Sequence, residues 1–181
     1  MMAKYDKSVP SAYDSLYQQA ADAHGVSYDL LRKLSFNESS FNPKAQSKTG
    51  PKGIMQFTRA TASALGLNAT DGDDDDRYDP AKAIDAGARH LSDLVRKYDG
   101  DELKAALAYN QGEGRNGAAQ IQAYDKGDFS GISPEGVEYM RRLSDVAQSP
   151  RSGDLETFGG ITPKGKGIPA SDAFTGIGKQ G

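Results

Sequence analysis

Apolar residues recur at helical spacing through most of the first 147 positions. Leu16, Tyr17, Ala20 and Ala21 share a face, Ser11 can cap the segment and Gly25 can stop it, which predicts a helix to about His24. Ser27 can cap a second helix, in which Leu31, Leu34 and Glu38 fall at i, i+3, i+7. Positions 39–57 lose the period, and Asn42-Pro43, Thr49-Gly50-Pro51 and Gly53 supply turn chemistry. A short helix is expected from about Thr58 to Leu65, ended by Gly66. Asp79-Pro80 is a cap followed by a first-turn proline. It opens the longest predicted helix, with Ile84, Ala88, Leu91, Val95 and Tyr98 in register and Gly100 as the stop. Asp101 caps the next, with Leu103, Ala106, Leu107 and Asn110 on one stripe. A weaker helical stretch covers about 118–126. Ser133-Pro134-Glu135 opens the last, with Tyr139, Met140, Leu143, Val146 and Ala147 inward. No segment reads as a strand, so the expected fold is a mainly α bundle with little or no β-structure.

Composition qualifies this picture. Leu, Ile, Val and Phe are only 30 of 181 residues, below the roughly 20% of ordinary globular chains. The 23 alanines offset the deficit, because small side chains let helices approach closely. Gly and Pro are concentrated at one end: 11 of the 34 residues from 148 to 181, against 18 of the first 147. The expected organisation is therefore a domain at 1–147 and a Gly/Pro-rich tail or linker at 148–181. Six large apolar residues in that tail (Leu155, Phe158, Ile161, Ile168, Phe174 and Ile177) point to a docking role rather than a pure spacer.

Charge and cysteine usage remove several function classes. The net charge of −3, without a basic stripe, gives no electrostatic basis for specific nucleic-acid binding. No run approaches 18 apolar residues, so no membrane span is expected. The first residues lead into no apolar run, so no secretory leader is expected. The absence of cysteine excludes disulfides, zinc–cysteine sites and a thiol nucleophile.

Glu38 is the leading candidate for chemistry. It shares a helical face with buried leucines, and a turn-rich loop follows at once. A carboxyl group held against apolar neighbours has its ionised form disfavoured, so it can donate a proton near neutral pH. The reading as a solvated helix-end glutamate stays open on the face pattern alone.

The surrounding motifs bear on that choice. Glu38-Ser39-Ser40-Phe41-Asn42-Pro43, then Gly53-Ile54-Met55-Gln56, resembles the Glu-Ser-x-Phe-x-Pro and Gly-Leu-Met-Gln signatures of the soluble lytic transglycosylases, a branch of the lysozyme-like superfamily. Gly87-Ala88-Arg89-His90-Leu91 is similar to that family's Gly-x-x-Tyr-Leu helix, with histidine in place of tyrosine. Ala108-Tyr109-Asn110-Gln111-Gly112 matches Ala-Tyr-Asn-x-Gly, and Tyr139 stands where the family has a tyrosine on its last helix. From Lys4 to Pro169 the chain also resembles the N-terminal part of the large internal virion proteins of short-tailed coliphages, which are several times longer. That likeness implies a front piece of a larger protein.

The resemblance implies a lysozyme-like helical fold and a peptidoglycan lytic transglycosylase. Such an enzyme cuts the β-1,4 bond between N-acetylmuramic acid and N-acetylglucosamine and leaves a 1,6-anhydromuramic end. Glu38 is implied as the one catalytic acid and base. Ser39 is implied to contact substrate or orient Glu38, and Met55 and Gln56 to line the cleft. Tyr109 would offer a sugar its ring, Asn110 a hydrogen bond to an acetamido group, and Tyr139 a hydroxyl to Glu38. Core packing is the alternative for both tyrosines. The resemblance implies no cofactor and no metal. Its implied partners are glycan strands, other internal virion or ejection proteins and a further C-terminal part, and its implied location is the virion interior, then the host envelope. Two other readings stand beside it: hydrolysis as in goose-type lysozymes, or a mainly structural part of the virion core and ejection channel.

Other signals carry less. Gly112-Glu113-Gly114-Arg115-Asn116-Gly117 fits G-x-G-x-x-G but follows a helix rather than a strand. The Asp71–Asp76 run fails as a calcium loop, because its sixth position is Asp76 and its twelfth Lys82. It reads as a solvated acidic loop. Glu113 and this run are the nearest alternative acids.

Overall fold

The structure, a computed structural model, describes residues 5–151 and Leu155. Among these residues seven α-helices form, joined by turns and two long segments, 40–58 and 65–79: α1 Asp14–His24, α2 Tyr28–Ser39, α3 Arg59–Ala64, α4 Pro80–Lys97, α5 Glu102–Gln111, α6 Arg115–Asp125 and α7 Pro134–Leu143. Side-chain caps set most starts. Ser27 accepts from Leu30 N, Thr58 from Thr61 N, Asp101 from Lys104 N and Ser133 from Gly136 N. Asp79 accepts from both Ala81 N and Lys82 N, with Pro80 in the first turn. Helix α1 starts later than its cap suggested. Ser11 and Asp14 bond each other first, Ser11 N to Asp14 Oδ2 at 2.9 Å and Asp14 N to Ser11 O at 3.2 Å. Helix α6 begins three residues before the expected 118, on Gly114. Helix α7 stops at Leu143; Val146 and Ala147 lie in the turn beyond, where both amides bond the Leu143 carbonyl.

Helix α5 is central and packs against α4, α6 and α7. Helix α1 lies on α4 and α2, and α2 reaches α7. Alanine makes this closeness possible: Ala83, Ala86 and Ala88 of α4 and Ala105, Ala106 and Ala108 of α5 are all buried. Leu30, Leu31, Leu34, Leu91, Leu103 and Leu107 complete the core beneath the end of α2.

The segment between α2 and α3 contains no strand, only isolated antiparallel bridges from Lys52 to Gln46 and to Phe57. It is pinned to the acidic run, which is exposed at positions 71–74, as its composition suggested, and buried at Asp75. Asp75 is buried and takes the Arg77 guanidinium in a two-pronged contact, Nε to Oδ1 at 2.9 Å and Nη2 to Oδ2 at 2.6 Å. A burial this deep is stable only because each charge keeps its partner. A 3-10 turn at Asp76–Tyr78 then delivers the chain to α4.

Of the expected tail, only positions 148–151 and Leu155 fall among the described residues. Gln148 pairs with Glu102 through two hydrogen bonds, the Ser149 hydroxyl meets that of Tyr124 at 2.8 Å, and Leu155 is buried against the core. The other five apolar residues of 148–181 lie outside the described residues. No described helix is long and apolar enough to cross a membrane.

Candidate active site

Glu38 occupies the last turn of α2, and its side chain is sealed in, with only 3% of the residue exposed. Burial raises its pKa from 4.5 to about 8; a hydrogen bond from Tyr139 pulls it down and the charge of Glu135 pushes it up. The Tyr139 hydroxyl donates to Glu38 Oε1 at 2.6 Å, across 101 residues of sequence. Capping by Ser133 and the α5–α7 contact aim the tyrosine at the end of α2. The result is a carboxyl group held protonated at neutral pH in one rotamer.

The loop of Gly53–Gln56 closes over the same helix end. Ser39 donates its hydroxyl to the Ile54 carbonyl at 2.8 Å, and Ser35, one helical turn earlier, reaches the same oxygen at 3.1 Å. Ser35 also meets the Tyr17 hydroxyl at 2.6 Å. Ser39 therefore spends its proton on the protein backbone and fixes the loop relative to Glu38. Ser35 was not singled out in the sequence, although its i, i+4 spacing to Ser39 was the available signal.

Met55 and Gln56 differ from their expected place along the cleft. Both are 0% exposed. The Met55 side chain fills the notch left by Gly87 on α4, where an added Cβ would lie 2.4 Å from its Cε. The Gln56 amide nitrogen donates to Gly53 O at 2.8 Å and to Ala45 O at 3.3 Å, which holds the loop in its turn. Loop closure thus engages the Met55 side chain and the Gln56 amide nitrogen, while Gln56 Oε1 stays buried without a hydrogen-bond partner.

Tyr109 lies at the loop's inner face. Its hydroxyl donates to Met55 O at 3.2 Å, and its ring packs on Phe57 and on His90, with centroids 6.3 and 5.3 Å away. Its pKa is raised by burial and then by the charges of Glu38 and Tyr17, so it sits within electrostatic reach of the acid. Asn110 is 3% exposed, and its Oδ1 accepts from Gln111. Gln111 in turn bonds Gln120 and Ser133, which ties α5 to α6 and to the start of α7.

Two further groups belong to this neighbourhood and were not chosen from the sequence. Glu135 raises the pKa of both Glu38 and Tyr139; it stands one helical turn before Tyr139 on α7, the spacing that could have found it. His90, held neutral by burial, stands where the tyrosine was expected. The alternative acids are engaged elsewhere: Glu113 binds Lys97 at 2.5 Å and the Tyr98 hydroxyl at 2.6 Å, and Asp71 binds Lys52 and Arg77. No cluster of three or more metal-binding side chains is present among the described residues.

The Tyr139 contact has a measurable sign. Because that hydrogen bond favours the ionised carboxylate, Tyr139→Phe raises the Glu38 pKa above about 8. A carboxyl-carbon NMR titration of parent and variant checks this, and a downward movement contradicts it.

Comparisons with known proteins show the family. Residues 15–131 match the model of the transglycosylase SLT domain. The chain is 68% identical over 179 residues to the peptidoglycan transglycosylase gp16 of Escherichia phage T7, covering 99% of this chain and 14% of that protein. It is 37% identical over 118 residues to the membrane-bound lytic murein transglycosylase F of Desulfosudis oleivorans, covering 62% of this chain and 24% of that one. The 70 kDa soluble lytic transglycosylase of Escherichia coli superposes with a TM-score of 0.62 at 18% identity, over 82% of this chain and 25% of that chain. The lytic transglycosylase Slt of Pseudomonas aeruginosa, solved as an inactive mutant, gives 0.60 at 20% identity, over 75% and 23%. The chain therefore spans a seventh to a quarter of the length of these relatives, and it belongs to the transglycosylase SLT domain family.

Proposed function

We propose that this chain is a peptidoglycan lytic transglycosylase domain that opens the host cell wall during phage genome ejection. One observation carries the chemistry: the buried carboxyl group of Glu38, gripped by Tyr139, with its pKa raised by burial to about 8. Glycosidases ordinarily divide the work between two carboxyl groups. Here Glu38 does both parts in turn. As the acid it gives its proton to the glycosidic oxygen as the bond to muramic acid C1 breaks. As the carboxylate it then takes the proton of the muramic C6 hydroxyl, whose oxygen bonds C1. Glu38 ends protonated, the product carries a 1,6-anhydro ring, and no water is consumed.

Supporting roles follow from position. Tyr139 fixes the Glu38 rotamer. Ser39, with Ser35, and Gln56 hold the 53–56 loop against the acid, Met55 anchors that loop on α4, and Tyr109 and Asn110 form the wall on α5. Residues 1–147 act as the catalytic unit, and 148–181 lead to further parts of the virion's ejection apparatus. The kinship to the phage transglycosylase and the fold shared with soluble lytic transglycosylases support this reading.

Mass spectrometry of a digest of purified peptidoglycan tests it. Muropeptides ending in 1,6-anhydromuramic acid are expected. Products that have gained water would assign a hydrolase to the same scaffold, and an undigested wall would leave a structural role.

A further inference from the structure

The two residues that follow the Glu38 helix hold left-handed backbone without being glycine, Ser40 at φ of +52° and Phe41 at φ of +64°. That conformation is costly for any side chain and an outlier for an aromatic one, so the surroundings must impose it. At Ser40 the end of the helix does so: its amide bonds the Phe36 carbonyl at 2.8 Å. At Phe41 the hold comes from side chains. Its ring meets Phe36 edge-on at 5.3 Å and Tyr17 at 5.8 Å, and the Arg32 guanidinium lies 4.9 Å over its centroid.

Arg32 is only 1% exposed, and a charge so deep is stable only with its partners in place. Its hydrogen bonds among the described residues all run to the chain ahead of α2. Nε donates to Asp14 Oδ1 at 2.7 Å, Nη1 to the Tyr5 hydroxyl at 3.0 Å and Nη2 to the Val9 carbonyl at 2.6 Å. The Tyr5 ring in turn meets Phe36 at 5.3 Å. Segment 5–13 thus lies across α2 as a clasp, although positions 6–10 are themselves exposed. It precedes residue 15, where the match to the SLT domain begins.

Clasp and acid share one stack. Phe41 stands three residues past Glu38, and Asn42 N bonds Ser39 O at 3.1 Å across the same turn. Tyr17, which also touches Phe41, bonds Ser35 at 2.6 Å, and Ser35 reaches the Ile54 carbonyl that Ser39 holds. Resting on the reading of Glu38 as the acid, we propose that segment 5–13 positions Glu38 through Arg32 and Phe41. Both are positioning residues, acting on the reaction through the turn that ends α2.

Tyr5→Ala removes a ring and a hydroxyl from the clasp but leaves the Asp14–Arg32 pair, so the fold is expected to persist. Phe41→Gly accepts the left-handed turn without strain and removes only the ring. In both variants the end of α2 is expected to loosen and admit water to Glu38. Tyr139 and Glu135 of α7 act on Glu38, and Tyr109 of α5 lies within its electrostatic reach; neither substitution alters these groups. Burial raises the Glu38 pKa to about 8, so its carboxyl-carbon NMR titration is expected to move down by about half a unit or more. On soluble uncross-linked glycan strands, kcat is expected to fall about tenfold while KM stays within about twofold. Tyr5→Phe restores the ring and is expected to recover most of both losses. A stack that only stabilises the fold would lower Tm alone. Parent values of the titration or of kcat in both variants, with circular dichroism showing them folded, therefore overturn the proposal. If Phe41→Gly does not fold, Tyr5→Ala decides by itself. The titration needs no turnover, so its outcome is separate from the transglycosylase reading, which stands or falls on the digest product.

Discussion

Glu38→Gln is expected to keep the fold and to lose at least about a hundredfold in muralytic rate, since one positioned acid–base group typically contributes 10²–10⁴-fold. Glutamine preserves the shape and the oxygen that Tyr139 bonds, but has no proton to give. Full activity in this variant would remove Glu38 from the mechanism. The same substitution has an opposite effect on stability, with a definite pH dependence. The folded pKa of Glu38, about 8, lies above its ordinary 4.5. Its contribution to stability is therefore fully present below about pH 4.5 and is lost as pH rises toward 8, where the buried group ionises. The displacement corresponds to a change on the order of 4 kcal/mol. Urea unfolding of parent and variant at pH 5 and pH 9 isolates it: the variant gains on the parent as pH rises. A difference that stays flat between the two pH values would mean that the carboxyl group is not held protonated.

Gly53→Ala is expected to be the most damaging single methyl in the domain. Gly53 has φ of +79°, and an added Cβ would fall 1.7 Å from the Arg77 carbonyl oxygen and 2.7 Å from its carbon. Both obstacles are backbone, so no rotamer change relieves them. The left-handed conformation alone costs a non-glycine residue about 1–3 kcal/mol, and the overlap must separate the loop from the Asp75–Arg77 anchor. A loss of about 3–5 kcal/mol is expected, which in a domain of this size lowers Tm by roughly 10 °C. Gly50→Ala is the control. Its φ is +112°, but nothing lies within 4 Å of the added Cβ, so it bears only the conformational cost. Equal melting temperatures for the two variants would show that the Arg77 contact is not what selects glycine at 53.

The two variants probe different kinds of information in the chain. The candidate acid was only half legible from its own helix: Glu38 follows Leu31 and Leu34 on one face, where apolar neighbours raise a carboxyl pKa, but the choice against a solvated glutamate came from the motif resemblance. Helix starts were more legible, because a cap is made within three residues, as Asp79 shows with Ala81 and Lys82. The reversals came where one side chain had several physically reasonable destinations. Met55 and Gln56 carry groups suited to a ligand, yet Gly87 receives the Met55 side chain and the loop's own carbonyls take the Gln56 amide nitrogen, leaving only its Oε1 unpartnered. Asp75 reads as one of several solvated aspartates until Arg77 folds back on it. Glu135 had a local sign in its one-turn spacing to Tyr139, whereas His90 gave none, since the Tyr109 ring it packs on comes from another helix.

The sequence by itself determined the seven helical segments and the loop between the second and third, because each depends on periodicity, caps and glycines within a few residues, and it marked Glu38 as the candidate acid. Only the tertiary structure decided that Tyr139 meets Glu38, that two serines share one carbonyl of the loop, and that Asp75 is buried against Arg77. Those contacts join residues up to 101 positions apart. Their existence depends on which helix faces pack, and many side chains compete for each such partner until packing excludes all but one.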